Sequence, residues 1–444
     1  MISINDILKI CDGELICGDS NLECISFTND TRKIKNGDIY VGIKGDVYNG
    51  NNFYRNAFDK GAIACILDKD TVIDRKYRNE AIILVDDTIE AIQKLASYKR
   101  SLYDIPVVAV TGSVGKTSVK DMIYTVLASQ FNVLCTKGNL NNHIGVPMTI
   151  LGLCEHDALI VEMGMNHAGE LSVLSNIAKP TMAVITNIGT AHIGNLGSRE
   201  NILKAKLEVL DGMNNGILIV NNDNDLLSTV KYDNLVTIGI DNDSDYMAKD
   251  ICDKIFSSQF YIEDNFVEIP VGSNAFIYNA LFAYAVGDKL GISKEKIIKA
   301  LESFKLTPHR LELINHNNYT IIDDTYNASL DSVNNALSLL SKVKGRKVFI
   351  FADILELEEF GKDIHMQVGN SVIDNKIDVL VTVGNLSKYT HLVVCDNNIN
   401  SYHFDKNSDL INDINNIIKD GDTILVKGSH SMNLVEIVDY LKNA

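Results

Sequence analysis

At 444 residues the chain is too long for one ordinary core and implies about two to four domains of ~100–200 residues each. A formal charge of -17 argues against a general nucleic-acid binder, which needs a basic face for phosphates. The eight cysteines show no C-x-x-C pair and no zinc-spaced His/Cys cluster, so they read as reduced thiols.

The chain opens Met1-Ile2-Ser3-Ile4-Asn5-Asp6, with neither a basic stretch nor a long apolar run, and nothing in it approaches the ~18 continuous apolar residues of a membrane helix. A cytoplasmic protein without membrane insertion is the expectation. Residues 1–86 alternate short strands and turns, Gly13–Gly18 and then Gly37–Gly45. A helix-like stretch ending at Gly61 leads into the strand Ala62–Leu67, which makes a small α/β unit without a catalytic cluster.

A helix around Ile89–Tyr98 delivers the chain to Ile105–Ser118, where a β-branched run breaks into two glycines and opens a helix near Lys116. This is the order of a phosphate cradle. Gly112, Ser113, Val114 and Gly115 would turn backbone N–H groups onto phosphate oxygens, with Ser118 following in the helix. Lys116 would reach the β/γ-phosphates, and the Thr117 hydroxyl could ligate Mg²⁺. The general pattern wants a further glycine at Val110, so the loop is the variant T-G-x-x-G-K-T.

From residue 87 to 306 the pattern reads strand, helix, strand, helix, as for a parallel sheet covered on both faces. Its strands are Ala158–Glu162, Met182–Asn187 and Gly216–Asn221, and Glu162 and Asn187 should lie near Lys116 because open α/β sheets bind ligands beyond their strands' carboxyl ends. A strand-end carboxylate such as Glu162 is a usual holder of Mg²⁺. His192 directly follows a strand; taken alone it reads as structural. The helix Glu200–Glu208 is charged and amphipathic, and taken alone its lysines read as solvated surface. From 307 to 444 the alternation repeats, with strands Tyr319–Asp324, Lys347–Asp353, Val379–Gly384 and Thr423–Gly428 in a second doubly wound sheet.

The motifs T-G-x-x-G-K-T, G-N-x-N-N-x-x-G-x-P from Gly138 to Pro147, E-M-G from Glu162, and N-I-G-x-A-H from Asn187 form a spaced set. With A-K-x-E at Lys206, P-H-R-x-E at Arg310 and D-D-x-Y-N-A through Asp324, it resembles the Mur ligase family over nearly the whole chain. The segments Asp324–Ala328 and Asp353–Leu357 favour its dipeptide-adding members. The resemblance implies an α/β protein of three domains: 1–86 holding the UDP-linked substrate, 87–306 a central P-loop-type ATPase, and 307–444 a Rossmann-like ligase domain that closes over ATP.

It also implies roles. Lys116 matches the ATP phosphate lysine, Thr117 and Glu162 match ligands of one Mg²⁺, and His192 matches a ligand of a second. Lys206 matches a lysine that becomes carbamylated, turning an ammonium that repels Mg²⁺ into an anionic ligand. Asn279 matches a nucleotide contact, while Arg310 and Asp324 match residues that engage ATP on closure. Asn139, Asn141 and Asn142 match a loop near the muramoyl substrate, with Tyr326 and Asn327 also on the substrate side. Thr31 and Arg32 match the uridine side.

The implied reaction is ATP-dependent joining of D-alanyl-D-alanine to UDP-N-acetylmuramoyl-tripeptide through an acyl phosphate, by a monomer with two Mg²⁺ sites, in cell-wall precursor synthesis. Lys116, Lys206, His192 and Arg310 carry the catalysis in this reading, and His365 is a candidate base for the incoming amine. The chain departs from the family pattern at Asn49 and Asn51, Ala275, Ala352 and His430. Those departures leave two alternatives: the same chemistry on a D-Ala-D-Ser, D-Ala-D-lactate or folylpolyglutamate-like substrate, or a catalytically silent nucleotide-binding module.

Overall fold

The computed structural model describes residues 2–24, 26–77, 80–316, 318–397 and 399–443. It divides into two compact units, one of Met1–Val110, Phe131–Ala183 and Leu207–Gly216, the other of Thr111–Gln130, Val184–Lys206 and Ile217–Ala444. Both are mixed α/β with mostly parallel sheets.

In the first unit a five-stranded sheet runs in the order Glu14–Cys17, Ala81–Val85, Ala64–Asp68, Asp38–Val41, Ser26–Thr28. The last four are parallel and the first is antiparallel. The strand residues of 38–41 and 64–67 are buried, as expected when both faces of a parallel sheet are covered. Asn51, in the departed Asn49-Gly50-Asn51 stretch, is 1% exposed. Its amide donates to Asp68 Oδ2 at 2.6 Å and accepts from the Asp68 N–H, so it serves the fold here. The helix Thr88–Ser101 starts where the Asp87 carboxylate accepts from the N–H groups of Ile89 and Glu90.

Strand β1 (Val107–Thr111) is wholly buried, and helix α1 (Lys116–Leu127) follows its loop. Strand β2 (Ala158–Glu162) lies parallel to β1, with Leu159 opposite Val107 and Glu162 opposite Val110. Strand β3 (Met182–Ile185) flanks β1 on the other side. The Thr181 N–H donates to the Val107 carbonyl, and the Thr186 N–H donates to the Thr111 carbonyl. Helix α2 (Arg199–Leu207) follows.

In the second unit β4 (Ile217–Asn221), β5 (Leu235–Gly239) and β6 (Tyr246–Asp253) continue in parallel. The strict strand–helix alternation expected up to residue 306 fails beyond β4. Strands β7 (Ser258–Ile262) and β8 (Asn265–Ile269) are antiparallel to their neighbours. The cause is local: Glu263-Asp264 makes a two-residue turn with Glu263 at φ 53°, the left-handed twist a tight hairpin demands. Helix α3 (Asn274–Lys289) then packs on α1.

The last sheet runs β9 (Glu312–Asn315), β10 (Thr320–Asp324), β14 (Thr423–Lys427), β11 (Lys347–Ala352), β12 (Val379–Val383), β13 (Asn400–Phe404). Only β9 is antiparallel; it and β13 add to the four strands expected. Because β14 inserts between β10 and β11, the carboxyl ends carrying Asp324, Lys427 and Ala352 sit side by side at a topological switch point. Among the described residues no helix is long and apolar enough to cross a membrane.

Candidate active site

Gly112 adopts φ +148°, and a Cβ there would fall 1.9 Å from the Thr186 hydroxyl, so only glycine fits. Gly115, at φ +84°, precedes the first turn of α1. The loop is tied to the segment after β3. Ser113 N–H donates to the Asn187 carbonyl at 3.0 Å, Val114 N–H to Asn187 Oδ1 at 2.8 Å, and Gly189 N–H to the Ser113 hydroxyl at 2.9 Å. Asn187, expected near Lys116, thus holds the loop in shape. The N–H groups of Ser113 and Val114 are thus both hydrogen-bonded to Asn187. Lys116 Nζ donates to the Gly112 carbonyl at 2.9 Å. Asn279 on α3 is buried, its Oδ1 3.8 Å from the place a Cβ on Gly115 would take.

On α2 the solvated-surface reading holds for Lys204, which is exposed, and fails for Lys206, which is 1% exposed. Ile202, Ala205 and Val209 are buried, and at i, i+3, i+4, i+7 Lys206 stands on that apolar stripe. That spacing was legible in the sequence. Burial drives the Lys206 ammonium well below the usual lysine range, and the Lys116 charge adds to the effect.

The turn after Thr307 brings Arg310 to the loop: its Nη2 donates to the Thr117 hydroxyl at 2.9 Å, and its guanidinium lies 3.8 Å over the Tyr326 ring. One helical turn along α1, Asp121 accepts from the Thr307 hydroxyl. Asp324 accepts from Lys427 Nζ at 2.5 Å. Burial pushes this carboxyl up, against the pull of Lys427 and Arg310. The Asn327 carbonyl accepts from the same Lys427 at 2.9 Å, and the His430 ring lies 5.8 Å from Tyr326.

His192 adopts φ 64°, and its Nδ1 lies 3.2 Å from a Glu356 carboxylate oxygen, without the alignment of a hydrogen bond. The contact with His192 lowers the Glu356 carboxyl. Thr190 N–H donates to Asp331 Oδ2 at 3.2 Å. Asp121, Asp331 and Glu356 were not expected at the site. Nothing in the local sequence marks the first two, since they meet it only through the fold.

In the first unit Glu162 is 2% exposed; its Oε1 accepts from Asn141 Nδ2 at 2.8 Å, and its Oε2 is buried without a hydrogen-bond partner among the described residues. Asn142 Oδ1 accepts from the N–H groups of Ile144 and Gly145 at the start of a helix, while Asn139 is exposed. Thr31 is half-buried, and exposed Arg32 pairs with Asp30 at 2.9 Å.

His365 is not a pocket base. It is fully buried, with Nε2 accepting from the Ile354 N–H at 3.0 Å and Nδ1 2.7 Å from the Gly361 carbonyl. A ring with both nitrogens bonded to backbone has no lone pair to offer an amine. Asp353 is likewise structural, accepting from the N–H groups of Asn385, Leu386 and Ser387 at the start of the Ser387–Cys395 helix.

Residues 110–287 match the Mur ligase middle domain, and residues 309–430 match the Mur ligase, glutamate ligase domain. The UDP-N-acetylmuramoyl-tripeptide–D-alanyl-D-alanine ligase of Bacillus subtilis (strain 168) is 36% identical over 422 residues, which cover 92% of this chain and 91% of that protein. The crystal structure of MurF from Acinetobacter baumannii superposes with a TM-score of 0.92 at 28% identity, covering 100% of this chain and 99% of that one. A MurF ligase from Thermotoga maritima in complex with ADP gives a TM-score of 0.82 at 27% identity, over 94% and 97% of the two chains.

Proposed function

The chain belongs to the Mur ligase family, and on that premise we propose how its own residues serve the ligation its relatives are named for. It is an ATP-dependent ligase that adds D-alanyl-D-alanine to UDP-N-acetylmuramoyl-tripeptide in peptidoglycan precursor synthesis. In this reading it works as a cytoplasmic monomer, with domain boundaries near residues 86 and 306.

A carboxylate is a poor electrophile. The terminal carboxylate of the tripeptide attacks the γ-phosphorus of ATP, ADP leaves, and an acyl phosphate forms. The dipeptide amine then attacks the acyl carbon, phosphate leaves, and the nitrogen gives up a proton. The electrostatic obstacle is the meeting of two anions, and fixed cations offset it; one such donor is worth about 3–4 kcal/mol of barrier. Lys116 and Arg310 supply that charge, with the Arg310 guanidinium 3.8 Å over the Tyr326 ring. Asn279 and Asp324 border the nucleotide. Thr31 and Arg32 serve the uridine side, and Asn139, Asn141, Asn142, Tyr326 and Asn327 the sugar–peptide side. Closure around the acyl phosphate keeps water from hydrolysing it.

Magnesium suits these donors: the buried Oε2 of Glu162, without a hydrogen-bond partner among the described residues, is the hard oxygen that such an ion takes. Thr117 and Glu162 would hold one ion, His192 and Lys206 the other, and bound magnesium neutralises charge on the transferring phosphoryl group. Lys206 fits its part only as a carbamate. A buried lysine that has lost its proton can attack CO₂, forming an N–C bond and releasing a proton to give an anionic oxygen.

The observation that carries this reading is the Arg310–Thr117 contact, which brings a cation from the ligase domain to the phosphate loop. Purified protein with ATP, Mg²⁺, D-alanyl-D-alanine and UDP-linked tripeptides should release ADP and phosphate in step with an amide product identified by mass. A folate substrate should give neither. Nucleotide binding without any amide product would leave the silent-module alternative standing.

A further inference from the structure

We infer that His309, Glu312 and Asp323 are positioning residues that aim Arg310 at the phosphate loop, an inference that rests on the nucleotide role of Arg310 proposed above. The backbone on either side of Arg310 is left-handed, with His309 at φ 63° and Leu311 at φ 53°. A branched apolar residue such as leucine rarely takes that conformation, and it persists only where the surroundings over-determine it.

Four contacts do so. His309 N–H donates to Glu312 Oε2 at 3.1 Å, and His309 Nδ1 lies 2.8 Å from Asp323 Oδ2. Tyr326 N–H donates to the His309 carbonyl at 3.2 Å, and Leu311 N–H to Asp324 Oδ1 at 3.2 Å. Asp323 is fully buried, and its other oxygen accepts from the N–H and the hydroxyl of Thr325. Glu312 stands opposite Asp323 in the β9–β10 register. The antiparallel edge strand β9 therefore has a use: it carries the carboxylate that closes the turn.

The side-chain ligand atoms of His309, Glu312 and Asp323 lie within 4.8 Å of one another, close enough to hold a metal ion. His309 and Asp323 already satisfy each other, however, and Glu312 already satisfies a backbone N–H, so the cluster reads as a clamp. Its output is the direction of Arg310, which leaves the turn between the Tyr326 ring and the Thr117 hydroxyl.

The test is a double-mutant cycle in the full chain, read as kcat/KM for ATP with both co-substrates saturating. Glu312→Ala and Asp323→Asn are each made in the natural background and with Arg310→Ala, and melting temperatures are recorded for all. Each substitution should lower kcat/KM by about tenfold alone and by less than about twofold beside Arg310→Ala, because groups acting through one side chain do not add. His309→Gln, whose amide can still reach Asp323, should keep more activity than His309→Ala. Equal losses in both backgrounds would overturn the clamp while leaving Arg310 its role. Full activity of Arg310→Ala would overturn that role and the clamp with it. If Asp323→Asn melts early, half-buried Glu312, whose replacement removes only one turn contact, decides the question.

Discussion

Two lysines of the second unit are almost sealed from solvent, Lys206 at 1% and Lys427 at 2% exposure, and their surroundings are opposite. Lys427 meets a carboxylate and a carbonyl, Asp324 and Asn327, at the junction of β10 and β14. Lys206 is pushed down chiefly by its burial, and the Lys116 charge adds to that. A buried ammonium with an anion and an acceptor ties two strands together. Burial of an amine away from any paired anion favours its neutral form. The same residue type at the same depth is paired with a carboxylate in one place and pushed toward its neutral form, chiefly by burial, in the other.

The largest effect expected is on stability. Lys427→Ala leaves Asp324 buried without its cation and should cost roughly 3–5 kcal/mol in denaturant unfolding. Lys206→Met, which exchanges an uncompensated amine for an apolar chain, should cost nothing measurable there. Equal destabilisation of the two variants would break the comparison.

On activity the order reverses. Lys116→Ala and Lys206→Ala should each lower turnover by roughly 10²–10³-fold. Added short-chain carboxylates should partly restore only Lys206→Ala, by taking the place of a carbamate. Lack of recovery over a series of acids would remove the reason for treating Lys206 as an anion.

His365 sharpens the contrast from a third direction, as an imidazole whose burial favours its neutral form. Burial depresses its pKa, so between that value and about 6.5 the unfolded chain binds the extra proton and the folded one does not. Stability should therefore fall as pH drops through about 6.5. His365→Phe should flatten that slope without moving the pH profile of turnover. A displaced profile would return His365 to the chemistry. The smallest effect belongs to Lys204→Ala, two residues from Lys206 on the exposed face of α2, which should stay within about 0.5 kcal/mol of the parent and keep its activity.

The phosphate loop was legible because its parts are consecutive: strand, two glycines, lysine, threonine. So were the ends of β1, β2, β10 and β14, whose apolar runs stop at polar residues. The antiparallel β7–β8 hairpin was not, because its turn residues, Glu263 and Asp264, are not the Asn-Gly or Asp-Gly pair that marks a tight hairpin. Lys206 was read two ways. Taken alone it looked like surface, whereas the family resemblance made it a carbamylated metal ligand; its place beside Ile202, Ala205 and Val209 accounts for its burial. Asp121 and Asp331 could not be read at all, and Glu356 only as part of the Asp353–Leu357 segment. Each joins the site through segments far away in sequence, Thr307, Thr190 and His192 respectively.

The chemical state of the amine at Lys206 decides whether a second metal site can form, and isotope labelling reads it directly. Protein equilibrated with ¹³C-bicarbonate should show a carbamate carbon resonance by NMR that is absent from Lys206→Arg and unchanged in Lys427→Arg. A spectrum with no protein-bound carbamate, in a preparation that is fully active, would contradict the role assigned to that lysine.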